Sequence, residues 1–263
     1  MSDEAASATG VEVLGGSFER DGYMVFDPQI AEATIDAAIG DIAAEFHAEG
    51  NLGQLARRAR RAVRGRHTAI SHRDEVRVQD AWIISENVRE IAFAPAVLEL
   101  LRDAYGREPR PFQTLNFRTG SQQRAHSDAM HFNSEPSGFM CGVWLALEDV
   151  DSESGPLLYY PGSQKLPEVT MAEVGEGGGH GDYEDFVQAR IDREGLEPRE
   201  ATLRKGQALL WSSNLIHGGA PQRDPNRTRW SQVTHYFFEG CRYWKPLDSS
   251  QSERRYWEPA WVR

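Results

Sequence analysis

The chain predicts an α+β protein with a mainly β core: a jelly roll supported by N-terminal helices. Two observations carry this. Up to Gly106, apolar residues recur at helical spacing: Ile35, Ala38, Ile39, Ile42 and Phe46, then Val88, Ile91, Ala92, Val97, Leu98 and Leu101. From residue 111 the signal changes to short apolar and aromatic runs separated by turn residues. Helices first and strands later is the α+β order, and closely spaced antiparallel strands suggest a jelly roll.

Taken in order, Phe18–Asp27 reads as a helix end, a Gly22 turn and a strand. Ile30–His47 reads as an amphipathic helix that Gly50 ends. Asn87, with Glu90 three residues on, reads as the cap of the next helix. Pro95 should kink or split that helix, and Gly106 stops it. Phe112–Arg118, Phe139–Leu147, Leu157–Tyr160, Ala208–Trp211 and Trp230–Phe238 are the core strands. Residues 168–200 interrupt them with a glycine-rich stretch and a short helix from Asp182 to Gly195, read as a mobile lid over the mouth of the barrel or as an ordinary surface excursion. The tail, rich in Trp and Tyr from Tyr243 to Trp261, is expected to pack back on the domain or meet a partner subunit.

At 263 residues the chain has the length of one large domain or two small ones. The pattern reads as a single domain over 1–263, with 1–12 a disordered lead-in. No apolar run approaches the ~20 residues of a membrane span, and the N-terminus lacks the basic and apolar regions of a signal peptide. Cys141 and Cys241 make no disulfide framework, and Cys141 in its apolar run reads as a buried, reduced thiol. A reducing cytoplasm is the expected compartment. The net charge of −11 argues against nucleic-acid binding. Six arginines between Arg57 and Arg66 stand against that balance. They read as a solvated helix face or as a cationic entrance for an anionic substrate.

The chemistry concentrates at His126-Ser127-Asp128. Residues i and i+2 of an extended segment share a face, so His126 and Asp128 can reach one point. With the distant His217 they make two imidazoles and one carboxylate, the set that binds Fe(II) and leaves coordination sites open. Arg229 and Ser231 share a strand face downstream and can hold a dicarboxylate by charge-assisted hydrogen bonds. Arg227 is the rival cation. His131 and Phe132-Asn133 are assigned to the pocket wall as substrate contacts, and His235 to a hydrogen bond inside the barrel.

Asn116-Phe117-Arg118, His126-Ser127-Asp128, Trp144–Val150, Gly155-Pro156-Leu157, Pro161–Lys165, His217 and Arg229-Trp230-Ser231, in that order, resemble the phytanoyl-CoA dioxygenase family of Fe(II)/2-oxoglutarate oxygenases. The resemblance runs from about Phe18 to Phe237. It implies a double-stranded β-helix of cupin type, iron at His126, Asp128 and His217, and 2-oxoglutarate and O₂ as co-substrates. It implies that Arg229 and Ser231 hold the far carboxylate, with Asn116 and Trp144 lining that pocket. Two positions depart from the pattern: Gly219 stands where many members have Ser, and Ser127 where Gln is frequent. The implied reaction oxidises, most simply hydroxylates, a C–H bond with release of succinate and CO₂. The substrate expected is a small polar metabolite, a sugar or a natural-product intermediate, and the enzyme is a possible homo-oligomer. Rival readings are a non-redox metal-binding isomerase or sugar-binding barrel, which Arg229-x-Ser231 speaks against, and a halogenase, which would need the place of Asp128 open.

Overall fold

The structure is a computed structural model and describes residues 11–46, 77–175, 179–249 and 253–263. The Arg57–Arg66 cluster, Gly50 and most of the expected lead-in lie outside the described residues.

The chain begins with strand β1 (Val13–Ser17), a helical turn α1 (Phe18–Asp21), β2 (Tyr23–Phe26) and helix α2 (Glu32–Phe46). Gly22 caps α1 at φ 78°, a left-handed conformation that favours glycine. After β3 (Arg77–Gln79) the predicted helix appears as two, α3 (Glu86–Ala92) and α4 (Pro95–Tyr105). Pro95 divides them because it has no N–H to continue the ladder, and it sits instead at the first turn of α4. The cap of α3 is Ser85, not Asn87: Ser85 Oγ accepts from the Val88 amide at 3.0 Å. Asn87 lies inside the helix and donates to Asp41.

The rest is mostly strand: β4 (Pro109–Phe117), β5 (Asn133–Glu135), β6 (Met140–Ala146), β7 (Leu157–Tyr159), β8 (Arg199–Glu200), β9 (Ala208–Ser212), β10 (His217–Gly219), β11 (Ser231–Phe238) and β12 (Arg242–Trp244). Two helices, α5 (Met171–Val174) and α6 (His180–Glu194), fill the insertion. A seven-stranded antiparallel sheet runs β1-β2-β9-β6-β11-β4-β3, and a three-stranded sheet runs β10-β7-β8. This is the expected mainly β, jelly-roll type of core.

Strand alternation divides the large sheet into two faces. Cys141, Val143, Leu145, Leu210 and Tyr236 pack on Ile35, Ala38 and Ile42 of α2 and on α3 and α4. Leu115, Phe117, Trp144, Ala146, Leu209, Trp211 and Val233 point the other way, toward the small sheet. Each large side chain so buried contributes about 1.5–3 kcal/mol. The two layers of helix and small sheet therefore clamp the large sheet and leave its inner face to line a cavity.

The tail packs back, as expected. Tyr243 is buried with Phe112, Met140 and Phe237, and Trp257 and Trp261 pack against them. The Val262 amide bonds to Pro111 O at 2.9 Å. Both cysteines are free, and Cys141 is buried. No helix among the described residues is long and apolar enough to cross a membrane.

Candidate metal centre and the cavity around it

His126 and His217 face each other across an isolated antiparallel bridge. The His126 amide donates to His217 O at 2.9 Å, and the His217 amide donates to His126 O at 2.8 Å. Two backbone bonds thus bring together residues far apart in the chain. Ser127 is extended (φ −116°, ψ 146°), which returns Asp128 to the face of His126. Asp128 then opens a 3₁₀ turn, Asp128–Met130. The donor atoms of His126, Asp128 and His217 all lie within 4.8 Å of one another, and all three residues are buried.

The ring nitrogens are assigned by their partners. His126 Nδ1 is 2.9 Å from Arg124 O, and His217 Nδ1 is 3.0 Å from Leu215 O. A carbonyl only accepts, so each Nδ1 carries a proton, and Nε2 is the nitrogen left to face a metal. Burial, together with the nearby His217, pushes His126 well below the usual histidine range, so it is neutral at pH 7. Burial alone would raise Asp128. The imidazoles of His217 and His235 outweigh it and hold the carboxyl far below the usual range. Two imidazoles and one carboxylate, buried and convergent, form a donor set that fits Fe(II). Asp128 Oδ1 lies 3.9 Å from His217 Nε2, while Oδ2 accepts from Trp211 Nε1 at 2.7 Å.

The cluster opens into a cavity of about 360 Å³. Arg229 lines it with its guanidinium carbon 5.5 Å from the centroid of the Trp144 ring, and Leu157, Gly218, His131, Phe132, His180 and Leu247 also line it. Arg229 is 3% exposed, and burial pushes its guanidinium down to about 10, still protonated at pH 7. Its Nη1 donates to Ser231 Oγ at 2.7 Å. No carboxylate pairs with it among the described residues, and its Nε and the Trp144 Nε1 are buried donors without partners. A buried cation beside a second unpaired donor suits an anion with several acceptor oxygens, as a carboxylate of 2-oxoglutarate is. Arg227 turns outward and pairs with Asp151 at 2.5 Å.

Two predicted site residues face elsewhere. Asn116 does not line the cavity. Leu115 and Phe117 do, so the intervening side chain points to the helical layer, where Asn116 Nδ2 donates to Gln232 Oε1 at 3.1 Å. Asn133 is also turned away: its amide donates to Ala129 O and to Glu168. The 3₁₀ turn Asp128–Met130 interrupts the extended backbone ahead of Asn133. His131 does line the cavity, and burial pushes it down to about 4. His235 points inward, with Nδ1 2.9 Å from Gln113 Oε1 and Nε2 3.5 Å from Asp128 Oδ2.

Both departures from the family pattern have local reasons. A Cβ on Gly219 would lie 2.6 Å from the Gln122 amide nitrogen and 2.7 Å from Ser121 Oγ. No side chain fits, and the hydroxyl beside that point is that of Ser121, which lines the cavity. Ser127 meets the insertion: its amide donates to Tyr183 Oη at 2.8 Å. Tyr183 is fully buried on α6, and the same helix places His180 at the cavity, stacked on His131 with centroids 5.0 Å apart. Trp211, Ser121, His180 and Gln113 were not singled out from the sequence. Only the inward phase of Gln113 and Trp211 on their strands pointed to them.

The sequence model described as phytanoyl-CoA dioxygenase matches residues 18–229. The chain belongs to this family. Phytanoyl-CoA dioxygenase domain-containing protein 1 of Mus musculus is 33% identical over 169 residues, 60% of this chain and 55% of that protein. The chain thus matches about half the length of that relative. Among solved structures, the non-heme alpha ketoglutarate dependent carbocyclase SnoK from nogalamycin biosynthesis superposes with a TM-score of 0.67 at 16% identity, covering 92% of this chain and 89% of that one. The epimerase SnoN, in complex with Fe3+, alpha ketoglutarate and nogalamycin RO, gives 0.61 at 19% identity, with 94% and 96% covered. At these identities the likeness speaks for the fold. Iron and 2-oxoglutarate are the cofactor and co-substrate of this class of oxygenases, and the donor set and the unpaired cation above fit them.

Proposed function

We propose that the protein is an Fe(II)/2-oxoglutarate-dependent oxygenase that hydroxylates a C–H bond of a small polar metabolite, a sugar or a natural-product intermediate. The observation that carries this is one cavity holding both a buried His126-Asp128-His217 cluster and a buried Arg229 that has no carboxylate partner among the described residues. His126, Asp128 and His217 hold the iron. Arg229, oriented by Ser231, holds the far carboxylate of 2-oxoglutarate, with Trp144 beside it. When bound, the iron and 2-oxoglutarate supply an oxidant from O₂, leaving succinate and CO₂.

What the chain's own residues do follows from their chemistry. The two Nδ1–H bonds to backbone carbonyls keep both imidazoles in the ligating tautomer. The rings of Phe117 and Trp144 beside the Arg229 guanidinium lower the local dielectric and strengthen its contact with a carboxylate. His131, Phe132 and His180 face the remaining space, where the substrate is placed for reaction. Among the described residues no acidic side chain but Asp128 lines the cavity, which suits a neutral or anionic substrate. A reducing cytoplasm suits ferrous iron and the buried thiol of Cys141.

Anaerobic titration with Fe(II) tests the reading. A 1:1 complex is expected, with a weak visible charge-transfer band once 2-oxoglutarate is added. The Asp128→Ala, His217→Ala double variant should bind no iron. Undiminished binding by that variant would overturn the assignment.

A further inference from the structure

Trp211 lies in β9, directly opposite Gly142 of β6. It is 1% exposed, and its indole N–H makes the single hydrogen bond shorter than 3 Å to the Asp128 carboxylate among the described residues. The same ring packs on His217, centroids 4.8 Å apart. One indole therefore touches two of the three convergent donors. Its position depends on Gly142. A Cβ there would sit 2.3 Å from Trp211 Cζ2, 2.4 Å from Cε2 and 2.9 Å from Nε1. Any side chain at 142 would push the ring off its place, because real contacts of that length do not occur.

We infer that Trp211, seated on Gly142, is a positioning residue that reserves Asp128 Oδ2 and so makes Asp128 a one-oxygen ligand. The inference rests on the reading of Asp128 as an iron ligand. Oδ2 is occupied by a charge-assisted N–H bond, with His235 Nε2 also at 3.5 Å, and Oδ1 is the oxygen nearer His217 Nε2. A carboxylate held by one oxygen can present only the other. If the N–H is lost, the carboxylate is free to swing and offer both oxygens. A two-oxygen grip would take a coordination position that a chelating 2-oxo acid and O₂ require. The indole thus protects the openness of the site as well as its affinity.

The test uses Co(II), whose visible spectrum reports coordination number, on the full chain. Trp211→Phe keeps a ring and removes the N–H. It should weaken Co(II) binding roughly 10–100-fold, the usual effect of losing a partner behind a ligand, and change the intensity of the visible bands. Gly142→Ala should move both readouts the same way, since it displaces the ring without touching it chemically. In a Trp211→Phe background Gly142→Ala should add little, because the new methyl meets a smaller ring. Trp230→Phe, a buried tryptophan on the helical side of the sheet, is the packing control and should leave both readouts unchanged. Asp128→Ala should abolish the spectrum. If Asp128→Ala binds Co(II) as the wild type does, the ligand reading itself fails. If Asp128→Ala loses the metal while Trp211→Phe and Gly142→Ala keep wild-type affinity and spectrum, this inference alone falls. It falls equally if Trp230→Phe weakens binding as much as Trp211→Phe.

Discussion

At the residue scale the clearest contrast is between Arg229 and Arg227. They are two positions apart, yet one is buried in the cavity and the other ion-paired with Asp151 at the surface. A co-substrate carboxylate left without its cation in a partly dry pocket costs on the order of 3–5 kcal/mol. Arg229→Ala should therefore raise the 2-oxoglutarate requirement by about 10²-fold or more, with iron affinity little changed. Arg227→Ala should be mild, because an exposed ion pair contributes little. Titration of the iron complex with 2-oxoglutarate, followed by the charge-transfer band, reads both. A wild-type response from Arg229→Ala would remove it from the site.

At the element scale the insertion is the informative piece. The glycine-rich stretch suggested a cover that moves. In the structure α6 is docked by Tyr183, Val187 and Ile191 against Met130, Tyr160 and Ile216, while residues 176–178 of the stretch lie outside the described residues. Tyr183 Oη accepts from the amide in the middle of His126-Ser127-Asp128, so the helix supports the ligand loop directly. Arg190, also buried, ties the helix to Pro167 O at 2.6 Å. Amides from Tyr183 to Ile191 should then exchange slowly even without ligands. Tyr183→Ala should cost about 3–5 kcal/mol of stability, measured by urea unfolding. Tyr183→Phe should cost about 1–3 kcal/mol, the penalty of an unsatisfied buried amide. Fast exchange across these residues that slows only on adding ligands would instead mark α6 as part of a moving lid.

At the scale of the whole molecule, the cavity gathers unlike charges inside an apolar shell. Three imidazoles near one carboxylate, and an arginine with unpaired donors, are groups whose burial opposes folding unless ligands satisfy them. Metal and 2-oxoglutarate bind only the folded state, so they should raise its stability by mass action. At a hundred times the dissociation constant the gain is about 2.7 kcal/mol for each ligand, or roughly 5–10 °C in thermal midpoint. Differential scanning fluorimetry with Fe(II) under argon, with and without 2-oxoglutarate, measures this. EDTA should reverse the metal's share. A midpoint indifferent to both would mean that the cavity holds neither.

Much of this was legible in the residues alone. Apolar spacing placed α2 and the α3–α4 pair, and Pro95 marked the break between them, since helical period and the missing proline N–H act locally. His126 and Asp128 could be paired because an extended tripeptide turns both to one side. The strand phase of Arg229 and Ser231 was legible for the same reason. Tertiary structure alone decided the rest. The bridge that sets His217 beside His126 is a pair of long-range backbone bonds, which no local pattern encodes. The 3₁₀ turn at Asp128 reset the phase of the following residues and turned Asn133 away, while the register of β4 sent Asn116 to the helical layer. Trp211 and Gly142 became a unit only when β9 and β6 paired, because a contact across strands depends on register, and register is chosen by the whole sheet.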